Sequence, residues 1–550
     1  MGKLACLTLA SCLAAWLPAA LGNGADSAKP LPRSPLAPQD AVQHFQLPAG
    51  LRIELVAAEP QIESPVAIAF DEHGKLWVVE MRDYPNGPEK GQPPEGRIKV
   101  LEDKDGDGRY ETARIFADGL LFANGLLPWK GGVIVTAAPH IVYLQDTDGD
   151  GQADQREVLY EGFATENPQL RVSHPVLGLD NWVYVANGLR GGQIKRAGKV
   201  DAKPLNISGL DFRFDPLRDR AEAVTGMGQY GNTFDDWGNR FVCTNRNHLI
   251  PIVLPNQYVQ RNPFMVAPEP VRDNQQAGGA AKIFPLSKNF TTASTHAGSF
   301  SASCGVTVYR GDALPQEYRG AAFTCEPTGN LVHMELLVPH GAGFGAKPAF
   351  EGKEFLASPD DWFRPVSLAH GPDGALYVVD MYREVIEHPQ FMTPEYKARA
   401  NLSAGKDRGR IWRIVPKSFS REPKASAPAA LKTADLVPLL AHPNAWQRTT
   451  AQRLLLARQD AAAIPALKKL LASDNPLAQV HAAWLLEAHG ALDEKLILND
   501  LLKPGAGRPR VEEHAVRLLE RWLPQSPEVQ AQVVRLAGSP DARVRFQVAL

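Results

Sequence analysis

Short apolar runs separated by polar turns recur through most of the chain. The clearest copy, RPVSLAHGPDGALYVVDMYR at residues 364–383, predicts two strands joined by a Pro-Asp-Gly turn, because LYVV is rich in strand-forming residues. The pattern also stands at residues 65–84 as PVAIAFDEHGKLWVVEMRDY, and weaker copies begin at His174 and Tyr230. One supersecondary unit repeated at irregular intervals is typical of a β-propeller.

We therefore expect an all-β propeller over residues 44–416. At roughly 50 to 60 residues a blade, this length favours six blades, with seven as the alternative. The stretch FQLPAGLRIELV at residues 45–56 predicts a first strand that joins the sheet of the last blade and closes the ring.

The hydrophobic period changes after residues 417–430, a Pro-, Ser- and Ala-rich linker. Residues 431–550 predict paired amphipathic helices joined at Pro, Asp or Asn turns. Aligning Ala441, Ala472, Lys503 and Ala537 gives spacings of 31, 31 and 34 residues, which predicts an all-α HEAT-like solenoid. Because the chain stops at Leu550 inside an apolar helix, we expect the natural protein to continue.

Composition excludes one class of partner. The 550 residues are 44% hydrophobic and 22% charged, as in an ordinary globular protein, and the formal net charge is −2. A protein whose main partner is nucleic acid carries a basic footprint, which is missing here.

The N-terminus predicts export to the periplasm or the cell envelope. Residues 1–22 have the charged start, apolar run and small-residue cleavage site of a signal peptide, and residues 23–43 predict a disordered lead-in. Two alternatives tether the protein to a membrane: a lipidation site at Cys12, or an uncleaved anchor.

Loss of the signal leaves Cys243, Cys304 and Cys325. An oxidising compartment permits a disulfide, and Cys304 and Cys325 flank one hairpin-like segment, so we expect them to pair. The alternative is three buried thiols. No Cys-x-x-Cys-His sequence is present, so the chain carries no c-type haem motif.

Two acidic turns predict calcium loops between strands. Each has carboxylates at alternate positions, a glycine at the sixth position and an acid at the ninth, a pattern that wraps hard oxygen ligands around Ca²⁺. The predicted ligands are Asp103, Asp105, Asp107 and Glu111 in the first loop, and Asp146, Asp148, Asp150 and Asp154 in the second. We expect the ion to rigidify a blade edge; the alternative is a pair of solvated acidic turns.

Polar residues at the blade ends are the candidates for chemistry, since the ends of all blades converge on the propeller axis. They are His174, Arg246, Asn247, His248, Arg364, His370, Asp380, Tyr382 and Arg383. A histidine at the axis can serve as a general base, and nearby arginines can hold an anionic cofactor. The alternative is that arginines and aspartates at strand ends pair with each other and staple adjacent blades.

Four long motifs carry a family resemblance: SPVAIAFDEHGKLWVVEM, DTDGDGQADQREVLYEGF, CGVTVYRGDALPQEYRGAAFTCEPTGNLVH and PVSLAHGPDGALYVVDMY. Through them the chain resembles the membrane-bound dehydrogenase family of planctomycete-type bacteria, from residue 45 to residue 416 and on into the helical repeats. More distantly it resembles the soluble quinoprotein glucose and sorbosone dehydrogenases. Those are calcium-containing six-bladed propellers that hold pyrroloquinoline quinone (PQQ) at the axis.

The resemblance implies roles for four residues. His174 matches the catalytic base, Arg246 and Asn247 match an Arg-Asn pair on PQQ, and Arg364 matches an arginine that precedes a late blade. Two features depart from the pattern. A lysine that contacts PQQ is missing near residues 326–328, and the c-type haem domain that often ends the nearer family is missing too.

The sequence thus predicts an exported quinoprotein-type dehydrogenase that oxidises a small sugar or alcohol, with a protein partner or electron acceptor on the solenoid. A rival enzyme hypothesis is a calcium-dependent lactonase-like hydrolase, which needs an axial metal held by residues such as Glu80, Asn187 and Asp380. The non-enzyme rival is a binding scaffold, in which the solenoid grips a partner and the propeller is a structural or glycan-binding head.

Overall fold

The computed structural model describes residues 34–262, 264, 281–287, 298–420, 427–503 and 507–550. The predicted signal peptide, with the alternative lipidation site at Cys12, lies outside these ranges. The predicted disordered lead-in overlaps them at its end, where the structure instead has a short helix, α1 (Pro38–Ala41). The backbone N–H of Leu36 donates to the hydroxyl of Tyr382 at 2.7 Å, so this segment is packed against the propeller.

Strands recur throughout the described part of the region from residue 51 to residue 416. The first thirteen are β1 (Leu51–Ala58), β2 (Pro65–Phe70), β3 (Leu76–Glu80), β4 (Arg97–Glu102), β5 (Thr112–Ala117), β6 (Gly125–Trp129), β7 (Gly132–Ala137), β8 (His140–Gln145), β9 (Gln155–Phe163), β10 (Ser173–Leu177), β11 (Val183–Ala186), β12 (Gly192–Arg196) and β13 (Leu205–Asn206). The next thirteen are β14 (Asp211–Asp215), β15 (Arg220–Val224), β16 (Asn232–Phe234), β17 (Arg240–Val242), β18 (Ile250–Pro251), β19 (Cys304–Val308), β20 (Ala322–Glu326), β21 (Leu331–His340), β22 (Gly343–Pro348), β23 (Leu356–Ala357), β24 (Pro365–His370), β25 (Leu376–Asp380) and β26 (Arg410–Pro416).

The described strands form six antiparallel sheets, which confirms the prediction of a six-bladed propeller. Blade 1 is β2 to β5, and blade 2 is β6 to β9 with β12 and β13 added outside. Blade 3 is β10, β11, β14 and β15; blade 4 is β16 to β18; blade 5 is β19 to β23. Blade 6 is β24 to β26 with β1. The first strand of each blade lies innermost and contacts the first strands of its two neighbours.

The ring is closed by the N-terminal strand, as predicted. β1 pairs antiparallel with β26, so that Ile53 lies opposite Ile414 and Leu51 lies opposite Pro416. Two ends of the propeller that are more than 350 residues apart in sequence thereby share one sheet. β1 is thus the outermost strand of blade 6.

The strands are apolar on both faces because each blade is sandwiched between two others. In β25, Leu376, Val378 and Val379 are 0% exposed and Tyr377 is 1% exposed. Complete burial of one such side chain contributes about 1.5–3 kcal/mol to folding. The run LYVV therefore supplies much of the free energy that stabilises this part of the blade. A strand with one face in water would show alternation instead.

The repeated aspartate turns have a common construction. In the turn between β24 and β25, Asp373 accepts hydrogen bonds from the Ala375 N–H at 3.2 Å and from the Tyr377 hydroxyl at 3.1 Å. In the turn between β2 and β3, Asp71 accepts from backbone N–H groups and from the Trp77 indole at 2.9 Å. The aspartate therefore closes the turn and positions an aromatic ring on the second strand.

Helices form most of the chain beyond residue 430. In the propeller region the structure also has α2 (Asn256–Arg261) and α3 (Pro394–Arg399). The C-terminal helices are α4 (Thr433–Leu436), α5 (Ala445–Arg458), α6 (Ile464–Leu471), α7 (Pro476–Ala488), α8 (Glu494–Leu496), α9 (Pro509–Leu519), α10 (Pro527–Leu536) and α11 (Ala542–Ala549). Their arrangement as HEAT-like repeats stays a prediction. No helix in the described ranges is long and apolar enough to cross a membrane.

The C-terminal helices pack on the propeller face that carries the aspartate turns. Asn444, which caps α5, donates to the carbonyl oxygens of Gly371 and Pro372 at 3.2 and 3.1 Å. His514 on α9 bonds to the carbonyl oxygen of Trp237 at 3.1 Å, and Arg453 pairs with Glu72 at 2.9 Å. These contacts reach the turns of blades 6, 4 and 1. The opposite face, where the innermost strands begin, is thus the one that bears the candidate site.

Candidate active site at the propeller axis

His174 is the second residue of β10, the innermost strand of blade 3. Its φ of 50° lies in the left-handed region, which non-glycine residues adopt mainly at turns and functional sites. Both ring nitrogens are buried, and neither has a hydrogen-bond partner among the residues that the structure describes. Burial lowers the pKa of His174 to about 4, so the imidazole is neutral at pH 7. An unsatisfied buried polar group is costly, and among the described histidines His174 is the one with both ring nitrogens in this state.

Tyr230 crosses the axis beside His174. The two rings meet edge to face with centroids 4.4 Å apart. The Tyr230 hydroxyl contacts the carbonyl oxygens of Val66 at 2.8 Å and Asn124 at 3.2 Å, so a residue that leads into blade 4 reaches blades 1 and 2. Sequence reasoning missed this residue, because only its aromatic character before Gly231 distinguishes it.

Arg246 and Asn247 lie in a tight turn directly after β17. The Thr244 N–H donates to the carbonyl oxygen of Asn247 at 2.9 Å, which closes the turn. Arg246 is exposed. Because β16 and β17 are antiparallel, this turn lies at the same end of blade 4 as the start of β16, which is the His174 end of the propeller. The structure therefore brings these two predicted residues to the candidate face.

Arg364 has a different environment. It is 8% exposed, and its guanidinium donates to three backbone carbonyl oxygens: Nη1 to Pro327 at 2.8 Å, Nε to Arg383 at 3.1 Å and Nη2 to Glu384 at 2.5 Å. Burial lowers its pKa. Arg364 thus already ties together the loops around blades 5 and 6. Its predicted contact with a cofactor stays a prediction.

Glu326 occupies the region where the resemblance leads us to expect a lysine. Its side chain is 0% exposed, and Oε2 accepts from the N–H groups of Ser301 and Ala302 at 3.2 and 3.0 Å. Burial raises the pKa of Glu326 to about 7. The end of β20 therefore presents a carboxyl group, not a cation, at this position.

The three residues proposed for an axial hydrolase metal are each engaged within their own blades. Glu80 pairs with Lys99 at 3.0 Å, and Asp380 accepts from the N–H groups of Arg364 and Tyr382 and from the Trp412 indole. The Asn187 side-chain amide donates to the carbonyl oxygen of Leu210 at 2.5 Å. Among the described residues, no cluster of metal-ligating groups includes Glu80 or Asp380. The arrangement does not support a lactonase-like hydrolase.

The first acidic loop, between β4 and β5, is folded around its own carboxylates. Asp103 accepts from the N–H groups of Gly106 at 2.7 Å and Gly108 at 3.0 Å. Ligand oxygens of Asp103, Asp105, Asp107 and Glu111 all lie within 4.8 Å of one another. All four predicted ligands therefore converge; the binding of Ca²⁺ stays a prediction.

The second loop, between β8 and β9, repeats this construction. Asp146 accepts from Gly149 and Gly151 at 2.6 and 2.8 Å, and oxygens of Asp146, Asp148 and Asp150 lie within 4.8 Å of one another. Asp154 is not a member of that described cluster; its carboxylate accepts from the Thr147 N–H at 2.9 Å and from the Thr147 hydroxyl at 2.5 Å. In this loop the ninth-position acid closes the turn, as Glu111 also does by accepting from the Lys104 N–H.

The predicted disulfide is wrong. Cys304 and Cys325 lie opposite each other on β19 and β20, yet within the described ranges they and Cys243 are free, buried thiols. A β-bulge follows Cys304 and alters the side-chain directions along β19. Opposed positions in a hairpin do not by themselves supply the specific geometry that a disulfide needs.

These features define a six-bladed β-propeller with a helical region on one face and a polar, histidine-bearing opposite face. The chain belongs to the family described as Domain of unknown function (DUF7133), which it matches over residues 37–418. None of the curated proteins matches it at a significant level.

Several solved structures are similar at low identity. An oxidoreductase described as a glucose dehydrogenase from Thermus thermophilus is 16% identical, with 66% of this chain and 100% of that chain covered and a TM-score of 0.39. The PQQ domain of pyranose dehydrogenase from Coprinopsis cinerea is 12% identical (68% and 97% covered, TM-score 0.37). The soluble aldose sugar dehydrogenase from Escherichia coli is 14% identical (67% and 100% covered, TM-score 0.35). The blade count of six rests on the strand pairing of this chain itself.

Proposed function

We propose that this protein is a quinoprotein-like oxidoreductase that oxidises a hydroxyl group of a small sugar or alcohol, with His174 as the base. The observation that carries the proposal is the pair of buried ring nitrogens of His174 without partners at the propeller axis, among the residues that the structure describes. The sequence resemblance to quinoprotein dehydrogenases supports the same role for this histidine.

In this reaction His174 accepts the proton of the substrate hydroxyl, while the carbon-bound hydrogen leaves with its electron pair to an external two-electron acceptor such as an added quinone or redox dye. Since the pKa of His174 is about 4, its neutral form persists through the neutral pH range. Arg246, exposed on the neighbouring turn, supplies positive charge on the face where a substrate or acceptor would dock.

The cofactor that the resemblance implies is PQQ, an anionic quinone. The described residues do not fit it in the implied arrangement. Arg364 is engaged by three carbonyl oxygens, and Glu326 places a carboxyl group where a lysine is expected. Of the residues that the resemblance implies, Arg246 is the exposed cation left on this face for an anion, so we assign no step to PQQ.

The proposal extends to calcium and location. Ca²⁺ in the two acidic loops would stiffen the β4–β5 hairpin of blade 1 and the β8–β9 hairpin of blade 2, away from the chemistry. Export to the periplasm or cell envelope would follow from the predicted signal peptide at residues 1–22. A protein partner or electron acceptor would contact the C-terminal helices if these form HEAT-like repeats.

The test is dye-linked oxidation of a sugar and alcohol panel by purified protein, with calcium present and with or without added PQQ. We expect dye reduction that is lost in His174→Gln and retained in His340→Gln, a matched change of an exposed histidine. The rate should titrate with an apparent pKa well below 6.5. Dye reduction that survives His174→Gln, or its absence with every substrate and acceptor, would refute the proposal. A requirement for added PQQ would show that Arg364 and Glu326 do not prevent its binding.

A second candidate is a non-catalytic binding scaffold. The contact of Tyr230 with carbonyl oxygens of two other blades favours it, because a side chain across the axis takes the space of a bound substrate. Tyr230→Ala separates the two functions. If the protein is an enzyme whose axis is partly filled by this ring, the substitution should change the KM for the substrate. If it is a scaffold, neither the wild type nor the variant should reduce the dye.

A further inference from the structure

A buried cluster of two histidines and a glutamate lies where blades 4 and 5 meet. His248 precedes β18 in blade 4, while His333 and Glu335 stand two residues apart on β21 in blade 5 and so project from the same face of that strand. The three side chains are buried, at 4%, 5% and 6% exposed. The Thr324 hydroxyl donates to the carbonyl oxygen of His248 at 3.0 Å and holds the two blades in register here.

The distances suit a metal ion. One ligand atom from each of the three residues lies within 4.8 Å of the other two. His248 Nε2 and Glu335 Oε2 are 3.2 Å apart. Ligands of a tetrahedral zinc ion at bond lengths of about 2.0–2.1 Å stand about 3.3 Å from one another. Small side-chain rotations are therefore enough to bring all three groups to one ion.

His248 is held with a nitrogen directed at this cluster. Its ring is stacked on Phe300, with centroids 4.1 Å apart and planes at 11°. Although Nε2 lies near Glu335, it is buried and makes no hydrogen bond of good geometry with any described residue. A buried nitrogen left in this state costs about 1–3 kcal/mol, and a metal ion would satisfy it.

His333 has the support that metal-binding histidines generally have. Its Nδ1 lies 2.7 Å from Glu354 Oε2, and Glu354 is itself fixed by the N–H of Phe284, which donates to Oε1 at 2.9 Å. A carboxylate on one ring nitrogen sets the tautomer and directs the other nitrogen to a metal. Nε2 of His333 is the nitrogen left for that purpose.

We propose that His248, His333 and Glu335 bind a divalent transition-metal ion of the zinc class in the contact region between blades 4 and 5. Two imidazoles and one carboxylate are the donor set of many zinc sites and leave one coordination position for water. This donor set differs from the all-oxygen calcium loops. The ion would clamp blade 4 to blade 5. Through Phe300 and through Glu354, which bonds to Phe284, it would also fix described parts of the long connection between β18 and β19. The proposal is independent of the role of His174.

The test is the metal content of the full-length protein after loading with zinc and desalting, with cobalt as a spectroscopic substitute. We expect about one zinc per chain and, with cobalt, the visible bands of a four- or five-coordinate ion. His248→Gln and His333→Gln should each lose the metal and the bands, whereas His340→Gln, on the same strand but exposed, should keep both.

Two further variants keep the outcome interpretable. Glu354→Gln leaves the three ligands in place and should weaken zinc binding about 10- to 100-fold, which separates loss of metal from loss of folding. Asp103→Asn combined with Asp146→Asn should leave zinc unchanged. Wild-type protein without stoichiometric metal, zinc retained by His248→Gln, or zinc lost with the Asp-loop variants would each overturn the proposal.

Discussion

Replacing Asp236 with asparagine is expected to loosen the helical region from the propeller. Asp236 lies in the turn between β16 and β17, and its carboxylate pairs with Arg448 of α5 and lies near Arg310 and Arg319 at 3.8 and 3.5 Å. Arg448 is 1% exposed, and burial lowers its pKa to about 10 even with Asp236 beside it. The substitution leaves a buried guanidinium without its counter-charge.

The expected cost follows from this burial. Breaking a buried ion pair by removing one partner costs about 3–5 kcal/mol. Asp236 is 17% exposed, so water compensates part of the loss, and Arg448 Nη1 keeps its bonds to the carbonyl oxygens of His442 and Pro443 at 2.6 and 2.7 Å. We therefore expect a loss near the lower bound, about 3 kcal/mol in the free energy of unfolding.

Urea unfolding followed by tryptophan fluorescence measures this loss, and limited proteolysis within residues 417–430 reports detachment of the helices. Asp219→Asn is the matched control, because Asp219 pairs with Lys199 at the surface and its removal should cost less than about 1 kcal/mol. The double variant Asp236→Asn/Arg448→Met should recover most of the stability. A cost for Asp236→Asn no larger than that of the control would refute the reasoning.

Three further predictions concern the loops, the axis and pH. Ca²⁺ should raise the melting temperature, and calorimetric titration of Asp103→Asn or Asp146→Asn should each show one calcium ion fewer than wild type; unchanged stoichiometry would contradict the loop assignment. Tyr230→Phe removes a donor from two buried carbonyl oxygens and should cost about 1–2 kcal/mol in urea unfolding, while an unchanged midpoint would show that the axial contact is unimportant. Burial lowers the pKa of His514 from 6.5 to about 4, so its stabilising contribution is complete above pH 6.5 and is lost as pH falls toward 4, by up to about 3 kcal/mol. His514→Leu should flatten the pH dependence of unfolding in that window; an unchanged slope would refute this attribution.

Local patterns predicted most of the fold. The Pro-Asp-Gly turn at Asp373 and the helix starts at Asn444 and Asn475 depend on groups within a few residues of each other, and the closing strand at residues 51–58 was recognised from its own strand-forming residues. Turn hydrogen bonds, strand propensity and helix caps are short-range, so they can be recognised in sequence. The two acidic loops belong to the same class, because their backbone N–H groups bond to carboxylates two to seven residues away.

The candidate site was predicted less well, because its properties depend on residues distant in sequence. Nothing near Arg364 indicates that Pro327 would accept from its guanidinium, and nothing near Cys304 indicates that it would stay a thiol. The sequence contained part of the signal for the proposed metal site, since His333 and Glu335 are two residues apart and therefore share one face of a strand. Their partner His248 comes from another blade, 85 residues earlier in the chain than His333.

The sequence by itself determined the repeating blade unit, the change from strand to helix beyond residue 417 and the acidic loops, since each follows from contacts along a few residues of chain. Tertiary structure alone decided what stands at the axis and between blades. Tyr230 reaches Val66, and His248 meets Glu335, only because six sheets close into a ring. Which polar groups such a closure buries, pairs or leaves without a partner is set by packing across the ring, and no local propensity encodes it.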